Sequence, residues 1–349
     1  MAIPKSYKSF RRAMGKDEQT IRPAVEWIPQ LQSNEVLVRI RAVSLNYRDV
    51  GMLHGKYPVP VKDNGIPASD CAGEVVALGS EIHKVKLGDR VSPVFDLKYI
   101  EEQDEEDKVA QLGGNVDGVL QQYAVFDENV LVRVPPHLSW EEAACITCAG
   151  TTAWNSLALS EKHYRKSSAL MLGTGGVSLF AVLLCLGAGI RPIITSSSDI
   201  KLREVAALGP EGAVDVINYN SNPEWEKEVL RLTNGRGVDI VLETVGTSIS
   251  KSVASVATRG VISWIGFLGG LQLDNWGEAL GRFFLKVGTL KAIQVGSKID
   301  QENLCRFLEE RNISLKRIIS KTFQFEESPA AFEYLYSGKH TGKVVITVN

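Results

Sequence analysis

Between Ala169 and Gly266 short apolar runs alternate with stretches of helical period. Ala169–Leu172 is wholly apolar, Gly173, Thr174, Gly175 and Gly176 follow it, and an apolar stretch then runs on to Ala188. Arg191–Thr195, Ala213–Asn218, Gly237–Gly246 and Gly260–Gly266 each have the length of a buried strand. Between them, Asp199–Gly209 carries Leu202, Val205 and Ala206 at helical spacing, and Pro223–Gly235 opens behind Asn222 and closes on a glycine. Strands that alternate with helices in this way need right-handed crossovers, so the pattern predicts a parallel sheet. Ser167–Ile190 has no charged residue and is long enough to cross a bilayer. Five glycines interrupt it, however, and the helix behind the turn is too short to span.

Upstream the period shortens. Asn34–Asn46, Cys71–Gly79, Gly88–Phe95 and Gln121–Pro135 read as strands with Gly, Pro and Asp turns between them, and Ser6–Ala13 as a first strand. A mostly antiparallel region therefore precedes the alternating one. The acidic run Glu101–Asp107 reads as a solvated loop.

Composition adds limits. At 349 residues and 44% hydrophobic content, two domains are expected. A formal charge of −2 gives no reason to expect a nucleic-acid or membrane partner. Five scattered cysteines argue for a reducing compartment, hence a cytoplasmic location. Lys5, Lys8, Arg11, Arg12 and Lys16, with no acid in the first sixteen residues, faintly suggest a transit peptide, but an alternating strand explains them as well.

The glycine turn carries the first chemistry. Gly173 can make a tight turn, Gly175 lets backbone approach a pyrophosphate, and the N–H groups of Thr174, Gly175, Gly176 and Val177 face an anion at the helix start. The third fingerprint position is Ser178, so the motif is G-x-G-x-x-S within a Rossmann dinucleotide-binding domain. An acid that would accept bonds from a ribose 2′-OH is missing some twenty residues on. Ser196, Ser197 and Lys201 stand there instead, and hydroxyls with a cation suit a 2′-phosphate, so the expected cofactor is NADPH.

The order of parts resembles the medium-chain dehydrogenase/reductase superfamily, in which a GroES-like catalytic domain precedes a Rossmann domain. The resemblance rests on Asn46–Asp49 (NYRD), Gly55–Pro58 (GKYP), Pro67–Gly79, Gly88–Val91, Cys148–Trp154, Leu172–Ser178 and Thr341–Ile346. It is strongest to the zinc-independent, quinone-oxidoreductase-like branch. The fold it implies is α/β: a GroES-like β-rich catalytic domain over residues 1–145, to which residues 313–349 return, and a Rossmann domain over residues 146–312.

The same resemblance implies roles. Of the three zinc ligands of the metal-dependent members, two fall on Asn46 and Ser69 and only Cys148 matches, which leaves too few ligands for catalytic zinc. No metal is expected, and His54 and His83 have no partner at metal spacing. Tyr57 and Asn46 become the catalytic candidates, the tyrosine as proton donor. Thr152, Tyr219, Val245, Gly266, Phe267, Leu268, Val295 and Lys343 join the glycine turn and the Ser196–Lys201 segment as cofactor contacts. The implied reaction is hydride transfer from NADPH to an activated C=C (enone or enoyl) or a quinone. A metal-free ketone/alcohol oxidoreductase, or a NADPH-binding protein without turnover, are the alternatives. Leu273–Gly288, with Trp276, Leu280, Phe283, Phe284 and Leu285, is expected to line the substrate cleft or a homodimer contact.

Overall fold

The computed structural model describes residues 3–13, 19–101, 109–161, 167–270 and 276–349. Most of the acidic run and the start of Leu273–Gly288 lie outside them. The chain forms two compact units, Met1–Thr151 with Gly296–Asn349, and Thr152–Val295.

In the first unit β1 (Ser6–Arg12) and β2 (Ile21–Trp27) pair as an antiparallel ribbon. The long β3 (Glu35–Leu45) is buried over most of its length because Val36, Leu37, Val38, Ile40, Val43 and Leu45 leave no polar face. After it come α1 (Tyr47–Leu53), β4 (Asp70–Leu78), β5 (Arg90–Pro93), β6 (Tyr123–Asp127), β7 (Leu131–Arg133) and α2 (Trp140–Ala143). A π-turn over Ile146–Gly150 closes this part.

The second unit opens on α3 (Thr151–Ser156), whose first residue belongs to the first unit. It continues through β8 (Ser168–Leu172), α4 (Gly176–Ala188), β9 (Arg191–Ser196), α5 (Asp199–Ala206), β10 (Asp215–Asn218) and α6 (Trp225–Leu232). β11 (Val238–Glu243), α7 (Ile249–Ser255), β12 (Val256–Trp264), α8 (Trp276–Leu285) and β13 (Thr289–Ala292) complete it. The six strands pair in parallel in the order β10-β9-β8-β11-β12-β13. That order reverses at β8, and in open α/β sheets ligands bind at the carboxyl ends beside such a reversal. Each strand predicted here is present; the central β8 and β11 are buried along their whole length, as apolar runs closed by a glycine turn tend to be, whereas β10 at the sheet's edge is only partly buried.

The chain then returns with α9 (Lys298–Glu310), β14 (Ile319–Gln324), α10 (Ser328–Tyr336) and β15 (Lys343–Thr347). The sheet of the first unit runs β14-β15-β3-β4-β5-β7, with β6 also on β3. The expected return at residue 313 thus begins earlier, at Gly296. The reason is α9: its buried Gln301 donates to Ser92 Oγ and the Pro93 carbonyl, both at 3.3 Å, in β5.

On α8, Phe283 is buried, whereas Phe284 (80% exposed) and Leu285 (79%) face outward. All five cysteines are free, and Cys71, Cys145, Cys185 and Cys305 are buried. Burial pushes every one of these thiols upward, Cys145 to about 11 and Cys305 to about 12. Among the described residues no helix is long and apolar enough to cross a membrane.

Candidate active site

Strand register assembles the polar centre of the first unit. β15 runs antiparallel to β3 with Val344 opposite Leu45, which sets Lys343 beside the residue that follows β3, Asn46. On the other side of β3, Ser44 faces Asp70 at the start of β4. Three segments far apart in sequence therefore bring Lys343, Asn46 and Asp70 together.

Lys343 is 2% exposed, and Nζ donates to the Leu45 carbonyl (2.9 Å) and to Asn46 Oδ1 (2.6 Å). Asp70 Oδ2 lies 3.7 Å from Nζ and also accepts from the Cys148 backbone N–H at 3.1 Å. Its other oxygen accepts from Ser69 Oγ at 2.6 Å. Asn46 is half-buried, donates its backbone N–H to Asp49 Oδ2 at 2.8 Å, and has an Nδ2 that is shut off from solvent with no partner among the described residues.

Tyr57 sits on the loop after α1. Its Cβ and ring lie against Gly51, where an added methyl would be 3.4 Å from both. Neighbouring contacts hold the loop: Lys56 N–H donates to the Gly51 carbonyl (2.7 Å), Lys56 Nζ donates to Tyr336 Oη (2.6 Å), and the His54 ring stacks on Tyr336. Burial raises the Tyr57 phenol, Cys148 adds to the rise, and Arg48 opposes it. The half-buried Cys148 is itself pushed up to about 12, chiefly by desolvation and then by Asp70.

Zinc would need about three ligands of thiolate, imidazole or carboxylate type. At the three positions stand an amide, a hydroxyl and a single thiol, with an ammonium already on the amide oxygen. Among the described residues no group of three His, Cys, Asp or Glu could hold a metal ion. The residues present do not fit the metal.

They do fit a dinucleotide. In the second unit Gly173 has φ +74°, and a side chain at Gly173 or Gly175 would meet nothing within 4 Å, so the space above the turn is open. Gly175 is the N-cap of α4, whose first N–H groups have no intrahelical partner. Ser178, at the third fingerprint position, is buried and donates to the Leu172 carbonyl at 3.1 Å, so the hydroxyl fastens helix to strand where a glycine would only permit close packing.

At the ends of β9 and β10 the structure gathers Ser196, Ser197, Lys201 and Tyr219. Tyr219 N–H donates to the Ser196 carbonyl at 3.0 Å, and Ser198 caps α5 by accepting from Lys201 N–H at 3.4 Å. Asp199, the acid nearby, is engaged by Asn218 Nδ2 at 2.6 Å. Thr152 is buried in α3, and Leu268 is 56% exposed beyond β12. Val295 has φ +59°, an uncommon state for a β-branched residue, and its carbonyl accepts from Asn155 Nδ2 at 3.1 Å.

Three buried acids in these sites were not singled out from sequence: Asp49, Asp70 and Glu243. Glu243 is fully buried at the end of β11, and its carboxylate accepts from the N–H groups of Val245 (2.9 Å) and Gly246 (3.0 Å) and from Ser248 Oγ (2.8 Å) and Ser252 Oγ (2.5 Å). A charged residue closing a mostly apolar run was the available signal for Glu243.

Fold and site together define a zinc-type alcohol dehydrogenase-like member of the medium-chain dehydrogenase/reductase superfamily, and the chain belongs to that superfamily. Its residues 32–136 match the alcohol dehydrogenase GroES-like domain, and residues 211–346 match the zinc-binding dehydrogenase family. A zinc-type alcohol dehydrogenase-like protein of Schizosaccharomyces pombe is 36% identical over 94% of this chain and 95% of its own length. A phenolphthiocerol synthesis polyketide synthase of Mycobacterium bovis is 28% identical over the whole chain, which spans 15% of that longer protein. Among solved structures, one assigned as an alcohol dehydrogenase of Sinorhizobium meliloti superposes with a TM-score of 0.90 at 31% identity, covering 99% of this chain and 100% of that one. The protein is therefore an oxidoreductase by family.

Proposed function

We propose that the protein is a NADPH-dependent oxidoreductase that reduces an activated C=C (enone or enoyl) or a quinone without a metal. The observation that carries this reading is the Lys343–Asp70 pair against Asn46, where the zinc-dependent members need a ligand set. Alcohol oxidation by the zinc route needs a ligand set for the metal that stabilises the alkoxide, and Asn46, Ser69 and Cys148 are not one. Conjugate reduction needs only donors to a carbonyl oxygen on which enolate charge develops.

When bound, the reduced nicotinamide supplies the hydride. The turn Gly173–Val177 would hold the pyrophosphate, and Ser196, Ser197, Lys201 and Tyr219 the 2′-phosphate. Thr152, Val245, Gly266, Phe267, Leu268 and Val295 are the proposed remaining contacts. The Tyr57 phenol, kept protonated by burial, and the Asn46 amide would donate to the substrate carbonyl.

Lys201→Ala is expected to weaken NADPH binding about tenfold to a hundredfold, the loss of one charge-assisted bond of about 1.5–3 kcal/mol. NADH binding should stay nearly unchanged. Fluorescence titration of both nucleotides checks this, and equal losses would remove Lys201 from the 2′-phosphate. Chelator-treated protein should retain its rate of NADPH oxidation with an enone, and elemental analysis should find no stoichiometric zinc. One tightly bound zinc per chain would overturn the metal-free reading.

A further inference from the structure

We infer that Lys343 is a positioning residue: its ammonium sets which end of the Asn46 carboxamide faces the substrate. The inference deepens the reading above and rests on its assignment of Asn46 as a substrate contact.

An asparagine side chain has an acceptor end and a donor end, and either could point outward. An ammonium has only hydrogens to offer, so only the amide oxygen can sit on it. At 2.6 Å from Lys343 Nζ, Asn46 Oδ1 is taken by the ammonium, and Nδ2, itself shut off from solvent, is left without a partner among the described residues. That unsatisfied donor is what a substrate oxygen would meet. A cation on the oxygen also draws density through the amide and strengthens its N–H as a donor.

The lysine is held in turn. Its ammonium is ringed by the Leu45 carbonyl, Asn46 Oδ1 and Asp70, while Asp70 is fixed by Ser69 Oγ and the Cys148 N–H. Two of its three hydrogens are given to oxygens of the first unit, Asp70 balances its charge at 3.7 Å, and 2% of its surface is exposed. The contact with Asn46 is a role beyond the cofactor contact expected of this residue.

A mutant cycle on the full-length protein tests the assignment, with kcat on an enone and NADPH dissociation constants measured for each variant. Asn46→Ala should lower kcat by a factor on the order of 10², the loss of one oxyanion donor. Asn46→Asp, which keeps an oxygen for Lys343 but loses the N–H donor, should fall as far. Lys343→Met together with Asp70→Asn keeps the buried charge balanced, so folding should survive. This pair should lower kcat about tenfold, leave NADPH affinity unchanged, and cost nothing further in the Asn46→Ala background, so that the triple variant falls only as far as Asn46→Ala does. In protein labelled with 15N-asparagine, the Asn46 side-chain amide signals should shift when Lys343 is replaced.

If Asn46→Ala is impaired but the losses add independently, or if the Lys343 variant loses NADPH affinity at normal kcat, the inference is overturned while the proposed reaction stands. Unchanged kcat in Asn46→Ala overturns both.

Discussion

Replacing Glu243 with alanine is expected to destabilise the second unit by about 3–5 kcal/mol. The carboxylate is fully buried and gathers four donors, the N–H groups of Val245 and Gly246 and the hydroxyls of Ser248 and Ser252. Bonds to a charged acceptor contribute roughly 1.5–3 kcal/mol each, and backbone donors left dry lose their partner outright. The hydroxyls can turn elsewhere, so about two bonds' worth is the net loss. At roughly 2–4 °C per kcal/mol for a unit of this size, the melting temperature should fall by about 6–20 °C. Glu243→Gln keeps one acceptor oxygen, and the two serine hydroxyls can accept from its new N–H2, so its loss should be smaller. Because the same carboxylate shapes the loop through Val245, nucleotide affinity should fall in step with stability. Calorimetry on the wild type and both variants measures the order. An unchanged melting temperature for Glu243→Ala would show that the four bonds are not what holds β11 to α7.

Tyr57→Phe should reduce kcat on an enone by roughly tenfold to a hundredfold. General acid catalysis typically contributes 10² to 10⁴, and water can replace part of it. The interaction is made mainly in the transition state, so kcat should fall more than KM rises. NADPH affinity should not change, since every proposed nucleotide contact lies elsewhere. With a quinone the loss should be smaller, because its carbonyls are already activated and the product phenolate is a weak base. Burial raises the phenol above its ordinary value, so the donor form persists through neutral and mildly alkaline pH. The activity of the wild type should then show no loss from this group below about pH 10, the unperturbed tyrosine value. Steady-state kinetics with one enone and one quinone would decide the matter. An unchanged kcat on the enone would return Tyr57 to a packing role against Gly51.

What was legible in the chain was what repeats. The strands of the second unit follow from apolar runs punctuated by glycine, and Ser196, Ser197 and Lys201 follow from their distance to the Gly173 turn. The first unit was harder. Its β2 (IRPAVEW) carries Pro23, which argues against a strand, and its alternating Val25 and Trp27 are exposed, so the alternation marks no buried face. α9 reads in sequence as one more helix after one more strand, and only long-range bonds such as those of Gln301 to Ser92, across a separation of 209 residues, and of Lys298 to Asn129 assign it to the other unit. The polar centre has the same origin. Lys343 in GKVVI, Asn46 in NYRD and Asp70 in ASDC are each ordinary strand-end residues, and no local pattern says that antiparallel register will stack them. Glu243 was hidden because α7, which supplies Ser252, was not anticipated.

The cysteines bear on which compounds the protein can survive. Enones and quinones are soft electrophiles that alkylate thiolates, so a chain that handles them is exposed to attack by its own substrates. A thiol of ordinary pKa is a few per cent ionised at neutral pH and reacts readily. With Cys148 pushed to about 12, its thiolate fraction at pH 7 is on the order of 10⁻⁵, and Cys145 and Cys305 are close behind. The burial that quenches these sulfurs also leaves Cys148, whose charge the phenol of Tyr57 feels, a poor nucleophile toward a molecule held beside it. A protein that turns over such electrophiles, as proposed, would then lose little activity to alkylation of these thiols.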